Sequence, residues 1–282
     1  MRLQIRDVRL HVSVLGDEWH HGEPRPVIVA LHGGPGVDGS GLRFLMRPAA
    51  EYAQVLIPDQ RGHGHSDLSE PSRWNLDTWA DDIAALIDAL CPSRPVVFGT
   101  SFGGFVVQRY VSRHPDQPAG AILAGTSPRE TNRAEAVERF RHVGGDRAAA
   151  AMQRSFDEHT PEALREWMDV CAPFLTRRAP TPAYHDATRD AVQTPAVNLH
   201  FMATLTNLDL RPGLASTRCP VLVLAGEHDP LIPPAVAAEI VSALPAGLGE
   251  MHVLSGAAHR VLSDEADTAH RLMREFVQRV TR

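Results

Sequence analysis

The 282-residue sequence contains no lysine: all 28 of its basic residues are arginine. This excludes a lysine nucleophile, a Schiff base and a phosphate-binding P-loop, which depends on its lysine. Cysteine is scarce as well. Cys91, Cys171 and Cys219 are odd in number and form no C-x-x-C pair, so neither a disulfide framework nor a structural zinc site is expected. No apolar run approaches the roughly 18 residues of a membrane span. The N-terminal stretch MRLQIRDVRLHVSVLG alternates polar and apolar residues like a strand pair and lacks the apolar core of a signal peptide. A cytoplasmic protein without membrane partners is expected. Excess positive charge is also missing. The formal net charge is −6 and no basic stripe offsets it, which argues against an obligate nucleic-acid partner.

What the chain does have is material for a large core, 43% of its residues being hydrophobic. Over the first 125 residues, short apolar runs alternate with helical patterns, the signature of a mostly parallel sheet flanked by helices. VIVAL (27–31), QVLIP (54–58), PVVFG (95–99) and GAILAG (120–125) read as buried strands. Leu76, Trp79, Ile83, Leu86, Ile87 and Leu90 form one helical stripe behind Asn75, a candidate N-cap. FGGFVVQRYVSRH reads as a second helix stopped by Pro115. Between Ser127 and Asp209 the composition shifts to Arg, Glu, Ala and Pro with no convincing strand. Strands resume with CPVLVLAG (219–226) and GEMHVLSG (249–256). A last helix follows, with Ala266, Ala269, Met273, Phe276, Val277 and Val280 as its inward face. The expected organisation is an α/β core built from residues 1–126 and 209–282, with a helical cap insertion over 127–208.

The stretch VIVALHGGPGVDGSG (27–41) permits two chemistries. From Gly34 it spells G-x-G-x-x-G through Gly36 and Gly39, with Asp59 about twenty residues on, which suits a dinucleotide. From His32 it spells H-G-G-P-G, a loop able to bring backbone amides to a reacting carbonyl. The rest of the chain favours the second. Gly99-Thr100-Ser101-Phe102-Gly103 is a G-x-S-x-G between a strand and a helix, the setting in which the serine sits exposed on a tight turn. A serine hydroxyl needs a base to become a nucleophile, and the base needs an orienting acid. Asp229 follows a buried strand and His259 follows the last one, in the order Ser, Asp, His. Glu227 is the rival acid, and neighbouring His228 reads as loop surface. The amide after the nucleophile, Phe102, and that of Gly34 are the candidate oxyanion donors. His32, Gly33, His200 and Phe201 are candidate pocket residues, while Trp74, Trp79 and Trp167 read as core. RGHGHSD offers His63, His65 and Asp67 as conceivable metal ligands, but no matching second cluster accompanies it, so no metal and no cofactor is expected.

At this point the sequence resembles the α/β-hydrolase superfamily, and more narrowly the proline iminopeptidase family of serine peptidases. HGGPG (32–36), DQRGHGHSD (59–67) and GTSFGG (99–104) match three N-terminal signatures of that family, and GEHDP and GAAH extend the match. The resemblance implies an α/β-hydrolase fold and release of an N-terminal residue, proline in the type members, from a small or short-peptide substrate. It also implies no metal. The sequence departs from the family in the cap. The family carries an acid there, ahead of a His-Tyr-Phe stretch, which pairs with the substrate amine. Here Val197-Asn198 precede Leu199-His200-Phe201. Glu158, Glu162, Glu166 or Asp169 would have to replace it, since burying an unpaired ammonium costs several kcal/mol. Otherwise the substrate is an uncharged ester, lactone or amide.

Overall fold

The apolar runs become neighbouring strands of one eight-stranded sheet. A computed structural model describes residues 1–17, 19–20 and 23–282. The strands are β1 (Arg2–Ile5), β2 (Val8–Leu15), β3 (Val27–Leu31), β4 (Gln54–Pro58), β5 (Val96–Thr100), β6 (Gly120–Ala124), β7 (Val221–Gly226) and β8 (Gly249–Leu254). Their spatial order is β1-β2-β4-β3-β5-β6-β7-β8. The first two strands run antiparallel to their neighbours and the rest are parallel. A short ribbon pairs Trp19–His20 with Glu23–Pro24. Because the chain steps from β3 to β4 on one side and then to β5 on the other, the strand order reverses at β3. Ligands of open α/β sheets bind at such a point, beyond the C-terminal strand ends.

Strand periodicity sorts the core into two layers. Val27, Val29 and Leu31 of β3 pack in one cluster with Trp79, Val106 and Ile240. Ile28 and Ala30, pointing the other way, join Met46, Met273 and Phe276. All five residues are buried, as a parallel strand covered on both faces requires.

The helices are α1 (Ser40–Leu45), α2 (Leu76–Leu90), α3 (Phe102–Arg113), α4 (Arg133–Asp157), α5 (Pro161–Val170), α6 (Pro182–Thr188), α7 (Pro195–Thr204), α8 (Arg211–Leu214), α9 (Pro234–Ala243), α10 (Val261–Asp264) and α11 (Ala266–Val280). Asn75 caps α2, its side-chain oxygen accepting from the Thr78 amide at 2.9 Å. On α11, Ala269, Met273, Phe276 and Val277 are buried as expected; Ala266 and Val280 are only half-buried. His270 joins the buried set, its Nε2 reaching the Leu45 carbonyl at 2.9 Å. The chain between β6 and β7 runs through α4 to α8, and no strand forms there among the described residues. Phe140, Met152, Phe156, Cys171 and Leu175 give this stretch a hydrophobic cluster of its own. No helix among the described residues is long and apolar enough to cross a membrane.

The loop after β4 is anchored by a buried cation. Arg61 is 1% exposed and its guanidinium bonds Asp82 of α2 (2.7 and 2.9 Å) and Asp7 of the β1–β2 turn (2.6 Å). Hydrogen bonding to Arg61 lowers the Asp7 carboxyl to a pKa of about 2. Burial works against the Arg61 charge, but the two carboxylates outweigh it and raise its pKa.

Candidate active site

Ser101 stands between β5 and α3 with φ 51° and ψ −118°, a left-handed conformation that an L residue holds only when its surroundings enforce it. Glycine makes the turn possible. A Cβ on Gly103 would lie 2.4 Å from the Leu31 carbonyl oxygen, and one on Gly99 would lie 2.4 Å from that of Gly103. Strand and helix can meet this closely only where no side chain intervenes.

His259 and Asp229 arrive at this turn from the ends of β8 and β7. His259 Nε2 is 3.0 Å from Ser101 Oγ, and its Nδ1 is 2.8 Å from Asp229 Oδ2. The other Asp229 oxygen accepts the amides of Leu231 (2.8 Å) and Ile232 (2.9 Å), which fixes the carboxylate. Asp229 is buried, whereas Glu227 and His228 are exposed, so the rival acid points to solvent. The loop carrying His259 has a brace that the sequence did not announce. Asp264 is fully buried and accepts the Ala258 amide on one oxygen. Its other oxygen takes the Thr176 hydroxyl and the amides of Arg177 and Arg178.

The candidate oxyanion donors, Phe102 and Gly34, line one cavity together with Ser101. Phe102 opens α3, where an amide has no intrahelical acceptor. The Gly34 amide donates to no protein group among the described residues. Gly33 presses against the serine, a Cβ there falling 3.3 Å from Ser101 Cβ. His32 shapes this loop from beneath: its Nδ1–H donates to the Gly33 carbonyl (2.9 Å) while Nε2 accepts the Gln60 amide (3.2 Å). That pairing defines a neutral tautomer, and burial pushes the His32 pKa down. The dinucleotide reading fails on the same loop. Helix α1 starts only at Ser40, beyond all three glycines.

A cavity of about 580 Å³ opens on Ser101 and His259. His32, Gly33, Phe102 and Phe201 line it, and so does Trp167, which the sequence assigned to the core. His200 does not. Helix α7 turns Asn198, Leu199, Phe201, Met202 and Leu205 towards the cavity, and His200 falls on the opposite side with its ring edge-on to Trp74. Val197 is buried away from the cavity, and Asn198 donates from Nδ2 to the Pro35 carbonyl at 3.1 Å. Around it Thr194 N bonds Gly36 O (2.8 Å), Asp38 N bonds Val192 O (3.1 Å) and Val192 N bonds Asp38 Oδ2 (2.9 Å). Residues 192–198 are thus laced to the loop after β3.

The charges in the cavity are mostly spoken for. Glu158 lines it and pairs with Arg154 at 3.0 Å; Glu130 pairs with Arg133 at 2.8 Å; Arg129 pairs with Glu239. Asp38 accepts backbone amides on both oxygens. Glu162, Glu166 and Asp169 do not line the cavity. Arg260, next to His259, also lines it, and its guanidinium has no partner among the described residues.

Comparison with known proteins agrees with this architecture. A family model described as alpha/beta hydrolase fold matches residues 26–266. A pimeloyl-(acyl-carrier protein) methyl ester esterase of Aromatoleum aromaticum is 33% identical over 229 residues, 78% of this chain and 86% of that one. A proline iminopeptidase of Lactobacillus helveticus is 22% identical over 275 residues, 90% of each chain. The crystal structure of a Mycobacterium smegmatis proline iminopeptidase superposes with a TM-score of 0.80 at 22% identity, covering 99% of this chain and 98% of that one. A family match over most of the chain, on a sheet of this order with a serine turn after β5, leads to one conclusion: the chain belongs to the α/β-hydrolase family.

Proposed function

We propose that this protein is a serine hydrolase that cleaves small esters or lactones through an acyl-enzyme. Ser101 Oγ attacks the carbonyl as His259 Nε2 takes its proton. Asp229 holds the imidazole tautomer and stabilises the imidazolium. The amides of Phe102 and Gly34 receive the oxyanion, each such donor being worth about 3 kcal/mol to the transition state. The imidazolium then protonates the departing alcohol. A water deprotonated by the same imidazole releases the acid and restores Ser101. In this reading the helical segment 127–208 caps the cavity and sets the acyl preference.

One observation carries the choice of ester over aminopeptidase. Among the described residues, the cavity at Ser101 contains carboxylates only in engaged form, bound by arginine or backbone amides, while one guanidinium, Arg260, has no partner. An ammonium entering such a site would be desolvated without a partner, whereas a neutral or carboxylate-bearing acyl group would not. Of the two residues where the resemblance calls for an acid, Val197 is buried outside the cavity lining and Asn198 donates to the Pro35 carbonyl. The aminopeptidase reading draws on the HGGPG, DQRG and GTSFGG signatures and on the likeness to proline iminopeptidases.

The two separate in one assay series with the purified protein. The substrates are a prolyl arylamide, its N-acetyl form, a neutral p-nitrophenyl ester and a p-nitrophenyl ester bearing a distal carboxylate. Turnover of the esters, with no preference for the free amine among the amides, is expected. Cleavage confined to the free-amine arylamide would replace the proposal with the aminopeptidase reading.

A further inference from the structure

The sequence offered His63, His65 and Asp67 as a cluster without a partner set, and the fold regroups them. Asp67 is drawn off to Arg2 and Arg9. His65 turns to Asp59, where His11 of β2 also arrives. His11 and Asp59 are neighbours by register, Val12 facing Pro58 across the β2–β4 pair and the Asp59 amide donating to the His11 carbonyl at 2.8 Å. His11 Nδ1 lies 3.2 Å from Asp59 Oδ2, and His65 Nδ1 lies 3.3 Å from the same oxygen. One ligand atom from each of the three residues lies within 4.8 Å of the others. None of the three residues lines the cavity at Ser101.

We propose that His11, Asp59 and His65 bind one zinc ion, with water in the fourth position. Three features point there. First, zinc bound to two tetrahedral ligands at about 2.0–2.1 Å holds those atoms roughly 3.3–3.4 Å apart, so both nitrogen–oxygen separations match edges of such a tetrahedron. Second, His11 Nδ1 is a buried nitrogen without a hydrogen-bond partner among the described residues, although it lies beside a carboxylate. A cation between them would satisfy both. Third, the surroundings are already fixed. Ser66 Oγ accepts the His11 amide at 2.8 Å and donates to the Asp59 carbonyl at 2.5 Å. Gly64 leaves no side chain in the way, a Cβ there falling 2.4 Å from Asp59 Oδ2.

Lone-pair accounting permits the ion. Asp59 Oδ1 takes the Gly39 amide and Oδ2 takes the His65 amide, each at 2.9 Å, which leaves a site on Oδ2 for metal. Two imidazoles with one carboxylate suit zinc, copper or nickel rather than magnesium or calcium. The His65 side chain is 56% exposed, which opens a path for the ion and room for the water. Binding displaces whichever Nδ1 proton stands between a ring and Asp59, and both imidazoles keep their Nε2 protons.

The test is zinc titration of the metal-free chain by calorimetry, with bound metal counted after gel filtration. Parallel cobalt(II) titration reports coordination through its visible absorption. One zinc per chain at micromolar affinity or tighter is expected, with the absorption of a four-coordinate cobalt site. His65→Ala, at an exposed position, should weaken binding by tenfold or more and abolish the cobalt band. His11→Ala should do the same; circular dichroism checks its folding, and His65→Ala decides alone if it does not fold. Absence of binding at 100-fold molar excess overturns the proposal, as does zinc whose affinity and count survive His65→Ala.

Discussion

Ser101 carries the positive φ and the hydrogen bond to His259 at the same residue, so its backbone and its chemistry are tested by different substitutions. Ser101→Ala keeps the turn and removes the hydroxyl proposed to attack. It is expected to cut kcat on p-nitrophenyl esters by about 10⁶; near-normal release of nitrophenol by the purified variant would remove Ser101 from its proposed role. His270 poses a stability question instead. Burial lowers its pKa, Nε2 is engaged by Leu45, and Nδ1 is buried without a partner among the described residues. The unfolded chain takes up a proton on this ring near pH 6.5, the folded chain only further into acid. Between those values the unfolded state holds more protons, so stability falls as pH drops below about 6.5. His270→Gln, which retains a donor for Leu45, should show a shallower decline in melting temperature from pH 7 to 5 than the parent. Equal slopes in the two proteins would contradict the assignment.

Helix α7 acts as a wall of the cavity on one side and as a clasp for the HGGPG loop at its first turn. Its Asn198, one of the two residues where the resemblance calls for an amine-binding acid, is engaged in other work. The Nδ2 donor faces a carbonyl, and a carboxylate there would face it with like partial charge. Asn198→Asp is therefore expected to cost about 1–3 kcal/mol of stability and to lower kcat by loosening the Gly34 amide. It should not create activity on prolyl arylamides. Urea denaturation and the four-substrate series check both halves, and a gain of aminopeptidase activity would show that the clasp reading is wrong. His200 carries the related lesson that a residue next to a cavity-lining one can still face away, as its ring meets Trp74 while Phe201 lines the cavity.

Across the whole molecule, what was legible in the sequence is what local pattern determines. Buried parallel strands are short and apolar, and glycines fixed the turns beside Ser101. His259 could be picked out because only one histidine follows the last strand directly. The residues that escaped notice act through contacts between distant segments. Asp264 joins α10 to residues 176–178, Arg260 matters only because no described residue pairs with it, and His11 meets Asp59 through antiparallel pairing between β2 and β4. No spacing rule records such meetings. The lacing between residues 192–198 and the loop at 35–38 has a further consequence for how such an enzyme changes its diet. A chimaera that imports residues 127–208 from a relative also imports a foreign edge for the loop that positions Gly34. It should fold around an intact sheet, as judged by circular dichroism, yet turn over no ester until residues 35–38 are exchanged with it. If grafting the helices alone transfers a working acyl preference, the two are separable modules; if not, selectivity and rate here are inherited together.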